Sequence, residues 1–160
     1  FRSVSPTVIG SAMSSSTLAL VVRHPKLKAL YGLWLRLCAG GSFPALDGMS
    51  PADLRPWLDN MAILGLDETG GYVYRYYSPA YTSAFGGDLT GCTLARIAAD
   101  RAAVLAAEYD AVRADRLPVS RVYTAMFDGE QQTWERLVLP FFDLDGEVSK
   151  LLVAAYRVDA

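Results

Sequence analysis

This sequence is poor in the residues that most often carry chemistry. In 160 residues it has one histidine, His24, and two cysteines, Cys38 and Cys92. No Ser-His-Asp or Cys-His set can form unless His24 serves, and neither cysteine has a second metal-type ligand beside it. Nucleophilic catalysis and a metal site are therefore not expected. Two distant thiols are too few for a disulfide framework and point to a reducing compartment, with a single bridge left open. Charge is also scarce, at 20% of residues with a formal net of −2. No basic cluster offsets that balance, which argues against a nucleic-acid partner. No apolar run approaches the ~18–20 residues that would span a membrane. Residues Phe1 to Thr17 lack the charged-then-apolar progression of a secretory signal. The expectation is a cytoplasmic protein with neither membrane nor nucleic acid as partner.

What is abundant is apolar and aromatic. Hydrophobic residues make up 52% of the chain, and nine are tyrosines. That composition and length suit one globular domain with a real core. Residues 1–20, rich in Ser, Gly and Thr without periodicity, read as a flexible leader, with Met13 a candidate start. The domain proper is taken as 21–160.

A helix is expected over Pro25 to Ala39. Proline suits its first position, His24 can cap it, and Gly40-Gly41 ends it. Leu27, Leu30, Tyr31, Trp34, Leu35 and Cys38 recur at spacings of three and four, which makes one apolar stripe. Such a stripe is either core or, at the edge of a small domain, a surface for a second copy or partner, with Leu27, Leu30, Tyr31 and Trp34 as its centre. Ser50-Pro51-Ala52-Asp53-Leu54 reads as one capped turn. Leu58 to Leu66 and Tyr72 to Tyr77 read as strands joined by a hairpin through Asp67 to Gly71. Ser78 then caps a short helix over Ala80 to Phe85, closed by Gly86-Gly87. Cys92 to Ile97 suggests a helical turn and Asp100 to Asp115 a longer helix. Three strands follow, Val119 to Phe127, Gln132 to Phe142 and Val148 to Val158, linked by tight Asp-Gly turns. The fold class is α+β: five antiparallel strands, helices on one face and a leading N-terminal helix.

That order, together with local motifs, resembles a family of bacterial proteins built from a single PAS domain. The matching residues are Leu30-Tyr31-Gly32-Leu33-Trp34, Gly40-Gly41, Phe43-Pro44 and Ser50-Pro51-Ala52-Asp53-Leu54 near the start. In the centre stand Tyr74-Arg75 and Phe85-Gly86-Gly87-Asp88-Leu89-Thr90-Gly91, and near the end Leu139-Pro140 and Asp145-Gly146. One departure is Ser78-Pro79, where Gly-Thr is usual. The resemblance covers roughly Arg23 to Val158. It implies a sensory or regulatory module in signal transduction, not an enzyme, with a homodimer and a separate signalling protein as expected partners.

The residues narrow the choice of ligand. Haem is not expected, because His24 lies outside the presumed pocket, and Cys92 lacks the Asn-Cys-Arg-type setting of flavin photosensors. No cofactor is therefore assigned; a small organic ligand is. Strand alternation would put Tyr72, Tyr74 and Tyr76 on the helix side and turn Val73, Arg75 and Tyr77 away. Tyr123 and Trp134 on later strands would extend that wall, Tyr109 would close it from the helix, and Arg136 would meet an acidic group. Two alternatives stay open. One is an interaction module whose cavity is filled by side chains. The other is a cone-shaped isomerase that uses a tyrosine with a carboxylic acid.

Overall fold

The computed structural model describes residues 21–39, 41 and 43–159, so the expected leader and Gly40 lie outside the described residues. The chain forms α1 (Pro25–Cys38), α2 (Pro51–Leu54), β1 (Met61–Leu66), β2 (Tyr72–Tyr77) and α3 (Pro79–Phe85). After these come α4 (Ala99–Asp115), β3 (Val119–Phe127), β4 (Glu130–Phe142) and β5 (Val148–Arg157). The five strands make one antiparallel sheet in the order β2-β1-β5-β4-β3. This is the expected α+β architecture, with boundaries moved by a few residues. The largest shift is at β1. Pro56 sets up a 3-10 turn over Arg55–Asn60, so Leu58 to Asn60 precede the strand rather than open it.

Local signals account for most of the elements. His24 Nδ1 accepts from Lys26 N–H at 3.1 Å at the start of α1. In α2, Ser50 N–H donates to Asp53 Oδ2 at 2.9 Å. In the β1–β2 hairpin, Asp67 Oδ1 accepts from the N–H groups of Thr69 and Gly71 at 2.9 and 2.8 Å. Ser78 is fully buried and accepts from Tyr81 N–H at 3.3 Å, while Gly86 ends α3 in the left-handed region at φ 88°. A Cβ is strained there, so the glycine is a conformational requirement.

Connectivity explains where the layers lie. β2 and β3 are the two edges of the sheet, and the segment between them must cross from one edge to the other. It does so over one face, carrying α3 and α4. Tyr81, Leu105, Tyr109 and Val112 from these helices pack there on Tyr74, Tyr123, Val138 and Val153. α1 and α2 cover the opposite face. Leu27, Leu30, Tyr31 and Trp34 meet Met61, Leu137, Leu139, Phe141, Leu152 and Ala154. Being covered on both sides, β4 is buried at every position from Trp134 to Phe142. Trp34 Nε1 is satisfied by the carbonyl of Pro140 at 2.8 Å. Pro140 costs no ladder bond, because the β3 ladder ends at Val138.

The expected alternation of β2 fails at one residue. Ile63 pairs with Tyr76 and Leu64 with Tyr74, so Arg75 is bulged out of register. A bulge resets the side-chain alternation beyond it. Tyr72, Tyr74 and Tyr77 therefore share the α4 face, whereas Tyr76 packs toward α1 and donates to Leu58 O at 2.7 Å. The Arg75 side chain lies back over Gly65, the next residue of β1 beyond the bulge and the partner of Val73. A Cβ there would meet Arg75 Nε at 3.0 Å, so a bare backbone makes room for that side chain. Among the described residues, no helix is long and apolar enough to cross a membrane.

Candidate functional site

Between the sheet and the α3–α4 segment lies a hollow of about 320 Å³. Its floor is made by small side chains of the central strands, Ala62, Val153 and Ala155, which stop short of the helices above. Its walls are tyrosines from four elements: Tyr74 and Tyr77 of β2, Tyr81 of α3, Tyr109 of α4 and Tyr123 of β3. Its rim is the glycine turn after α3 and the start of α4. Gly86, Asp88, Arg96 and Ala98 are solvent-exposed there, while the floor is buried. The hollow is a cleft with one wet end.

Packing holds the tyrosines. Tyr74, Tyr77 and Tyr81 stack edge to face in sequence, with ring centroids 5.2 and 5.6 Å apart. Tyr81 donates to Asn60 O at 2.7 Å, which ties α3 to the turn before β1. Burial pushes the Tyr81 and Tyr109 hydroxyls well above the ordinary phenol range. Burial raises Tyr74 too, moderated by a hydrogen bond with Tyr109, and it raises Tyr123, moderated by the nearby Arg136 charge. All are neutral hydroxyls at physiological pH, able to donate or accept.

Arg136 stands at one wall within a buried charge cluster. Its Nε and Nη2 donate to the two Glu108 oxygens at 2.7 and 3.1 Å, and Arg121 Nε reaches Glu108 Oε1 at 2.6 Å. Arg121 and Arg136 are direct cross-strand partners, a pairing that like charges would oppose. Glu108, brought in by α4, sits against both and resolves that conflict. Burial, the largest single influence, would lower the Arg136 guanidinium, but the Glu108 charge and hydrogen bond together with Tyr123 and Tyr109 outweigh it and the net shift is upward. The Arg136 guanidinium also lies 4.6 Å from the Tyr123 ring centre.

Of the expected ligand residues, Tyr74, Tyr109, Tyr123 and Arg136 line the hollow together. The other three are placed elsewhere. Tyr72 faces the same side but donates to Asp110 at 2.6 Å, and burial with that partner pushes it up to about 12. Tyr76 is on the opposite face because of the Arg75 bulge. Trp134 donates to Gln132 Oε1 at 2.9 Å and packs on Phe127. Sequence reasoning missed Tyr77, Tyr81 and Arg101. Gly65 inside a strand was the available signal for Tyr77, since an isolated strand glycine marks a bulge or a close approach. Ser78-Pro79 was the signal for Tyr81, which follows a fixed helix start.

The four residues set aside for a partner surface, Leu27, Leu30, Tyr31 and Trp34, are at most 7% exposed and packed on the sheet. Their stripe is core within the chain. His24 caps α1 and stacks on Tyr156 at 4.4 Å, away from the hollow, so no histidine reaches it as an axial ligand would. Cys92 lies outside the lining, with Arg96 Nη1 at 3.6 Å from its sulfur. Both cysteines are free thiols, and burial pushes Cys38 up to about 11.

A family model described as "PAS fold" matches residues 59–160. No curated protein matches the chain. Among solved structures it is similar to a sensory box sensor histidine kinase from Vibrio cholerae. Identity there is 14% with a TM-score of 0.53, over 84% of this chain and 96% of that one. It is also similar to an RNA-binding Light-Oxygen-Voltage receptor, at 15% identity and a TM-score of 0.49. That match covers 98% of this chain but 38% of the receptor. At such identities the likeness speaks for the fold alone.

Proposed function

The chain belongs to the PAS-fold family, and from that premise we propose that it is a sensory domain that binds a small organic molecule. The observation that carries the reading is the hollow of about 320 Å³ under α3 and α4. That volume falls at the small end of ligand sites, which run ~300–1,000 Å³. Its apolar floor and tyrosine walls are the mixture such sites use: shape from rings, orientation from a few hydroxyls. An interaction module with a filled interior would have no reason to truncate two central-strand positions to Ala62 and Ala155 beneath a helix. On this reading the domain holds its ligand without transforming it, and passes the signal to a second copy or a separate signalling protein. The α1 stripe is spoken for by the sheet, so that contact belongs elsewhere on the surface.

Native mass spectrometry of the mildly purified chain, referenced to its denatured mass, tests this. The expected result is an added, non-covalent mass whose occupancy falls in Tyr74→Ala. A bare mass, with no rise in melting temperature across a library of small organic compounds, would overturn the reading.

A further inference from the structure

The charge around the hollow restricts what can occupy it. Three guanidinium groups line it, those of Arg96, Arg101 and Arg136, against one carboxylate, Asp88. Arg136 shares Glu108 with Arg121, so that buried trio retains one positive charge. Taking the six groups together, four arginines face two acids and leave a surplus of two positive charges. This sum is independent of which group pairs with which. It stands in a chain whose own balance is −2, so the positive potential is local to the cleft. A low-dielectric cleft focuses such a potential and draws in ions of the opposite sign.

We infer that the ligand of this cavity is a small aromatic carboxylate, its acid group held by the arginine side of the cleft and its ring among the tyrosines. The inference rests on the sensory reading above and deepens it. A cation would meet like charge, whereas an anion is drawn to the positive surplus that the lining carries. A carboxylate accepts two parallel N–H bonds from a guanidinium, the geometry for which arginine is suited. Arg136 was the expected partner for an acidic ligand, but both of its carboxylate-facing bonds go to Glu108. Arg101 is placed by position to meet the carboxylate: it lies on the first turns of α4, half-buried, between the exposed rim and the floor, with its guanidinium 5.6 Å from the Phe127 ring centre. The body must be flat and compact, because the rings of Tyr74, Tyr77 and Tyr81 already fill one wall edge to face. The floor of Ala62, Val153 and Ala155 offers it no hydrogen-bonding side chain.

The test is calorimetric titration of the full chain with phenylacetate, indoleacetate and naphthylacetate, each beside its own primary amide. At least one acid should bind tenfold or more tightly than its amide. Arg101→Gln should collapse that ratio toward one, the amide affinity measured on the same variant being the reference against which the loss of acid binding is read. Should that variant fold poorly, raising the salt concentration must weaken the acid and not the amide. Amides binding as well as acids in every pair would overturn the anionic class and leave the sensory reading standing. If neither series binds, the mass found by native mass spectrometry decides. A co-purified acid supports the inference, a neutral compound overturns it alone, and a bare chain overturns it along with the sensory reading.

Discussion

The two faces of the sheet are built from the same strands and have opposite interiors. On the α1 face, Leu27, Leu30, Met61, Leu137, Leu139, Leu152 and Ala154 are at most 1% exposed, and Trp34 and Trp57 close the edges. Burial of each large side chain there contributes about 1.5–3 kcal/mol. On the α4 face the fillers are tyrosines, arginines and alanines around a hollow. The contrast continues within single residue pairs. Glu135 and Arg136 are adjacent on β4 and both buried, one charge facing each way. Glu135 accepts from the backbone N–H groups of Arg23 and His24 at 2.8 and 2.7 Å, which pins the entry to α1. Arg136 pairs with a side chain of α4. One face uses its buried charge to fasten the chain, and the other keeps a surplus of charge at a cavity wall.

Alkaline pH should have the largest effect, and it acts mainly through the α4 face, where six of the eight raised tyrosines lie. Eight tyrosines, numbers 72, 74, 76, 77, 81, 109, 123 and 156, are raised above the ordinary phenol range of about 10, with burial the first cause in each. Their folded forms hold the proton more tightly than the unfolded chain does. The stability they contribute is therefore complete below pH ~10 and is lost as pH rises through the folded values. Unfolding followed by circular dichroism should show a plateau up to about pH 10 and a cooperative loss above it. Tyrosinate absorbance should appear together with unfolding, not ahead of it.

Removing the shared carboxylate should come next. Glu108→Ala leaves Arg136 buried without its partner and should cost about 3–5 kcal/mol in urea denaturation. Glu108→Leu combined with Arg136→Met should recover much of that loss. If the single change costs under about 1 kcal/mol, the cluster is better solvated than its burial implies.

Equivalent truncations should then cost different amounts. Leu30→Ala, on the filled face, should fall in the upper part of the ~2–5 kcal/mol range for such changes, and Leu105→Ala, beside the hollow, in the lower part. The reverse change is sharper, because β5 carries adjacent alanines that face opposite ways. Ala154→Val overfills the dry face and should cost about 1–3 kcal/mol. Ala155→Val enters the hollow, should cost little, and should reduce ligand occupancy. Equal costs for the two would erase the distinction between the faces. Smallest of all, Tyr76→Phe removes one hydrogen bond on the α1 side, costs about 1 kcal/mol, and should leave ligand binding unchanged.

Much of this architecture could be read along the chain because its causes are local. β2 and β3 run over the residues expected, Tyr72 to Tyr77 and Val119 to Phe127, since β-branched and aromatic runs between turn residues need no distant information. Ser78, Ser50 and His24 were legible as helix starts for the same reason. The candidate site was half legible. Tyr74, Tyr109, Tyr123 and Arg136 share one hollow, but Tyr76 does not, because a single unpaired residue at Arg75 reverses everything beyond it. A period-two pattern records which residues alternate, not where the alternation slips.

The amino-acid sequence by itself determined the element order, the hairpins, the helix caps and the division into apolar stripes. Each depends on backbone preferences and on spacings of two to four residues. The tertiary structure alone decided which stripe faces which. The α1 stripe has the same periodicity whether it meets a second molecule or its own sheet. Only the crossing of residues 78–118 over the other face leaves this one for α1 to cover. The cavity was likewise invisible in sequence: alanines at 62 and 155 become a floor only when Tyr81 and Tyr109 arrive above them from another layer. Nor could sequence show that Arg136 would spend its charge on Glu108, because that pairing exists only where α4 crosses β3 and β4.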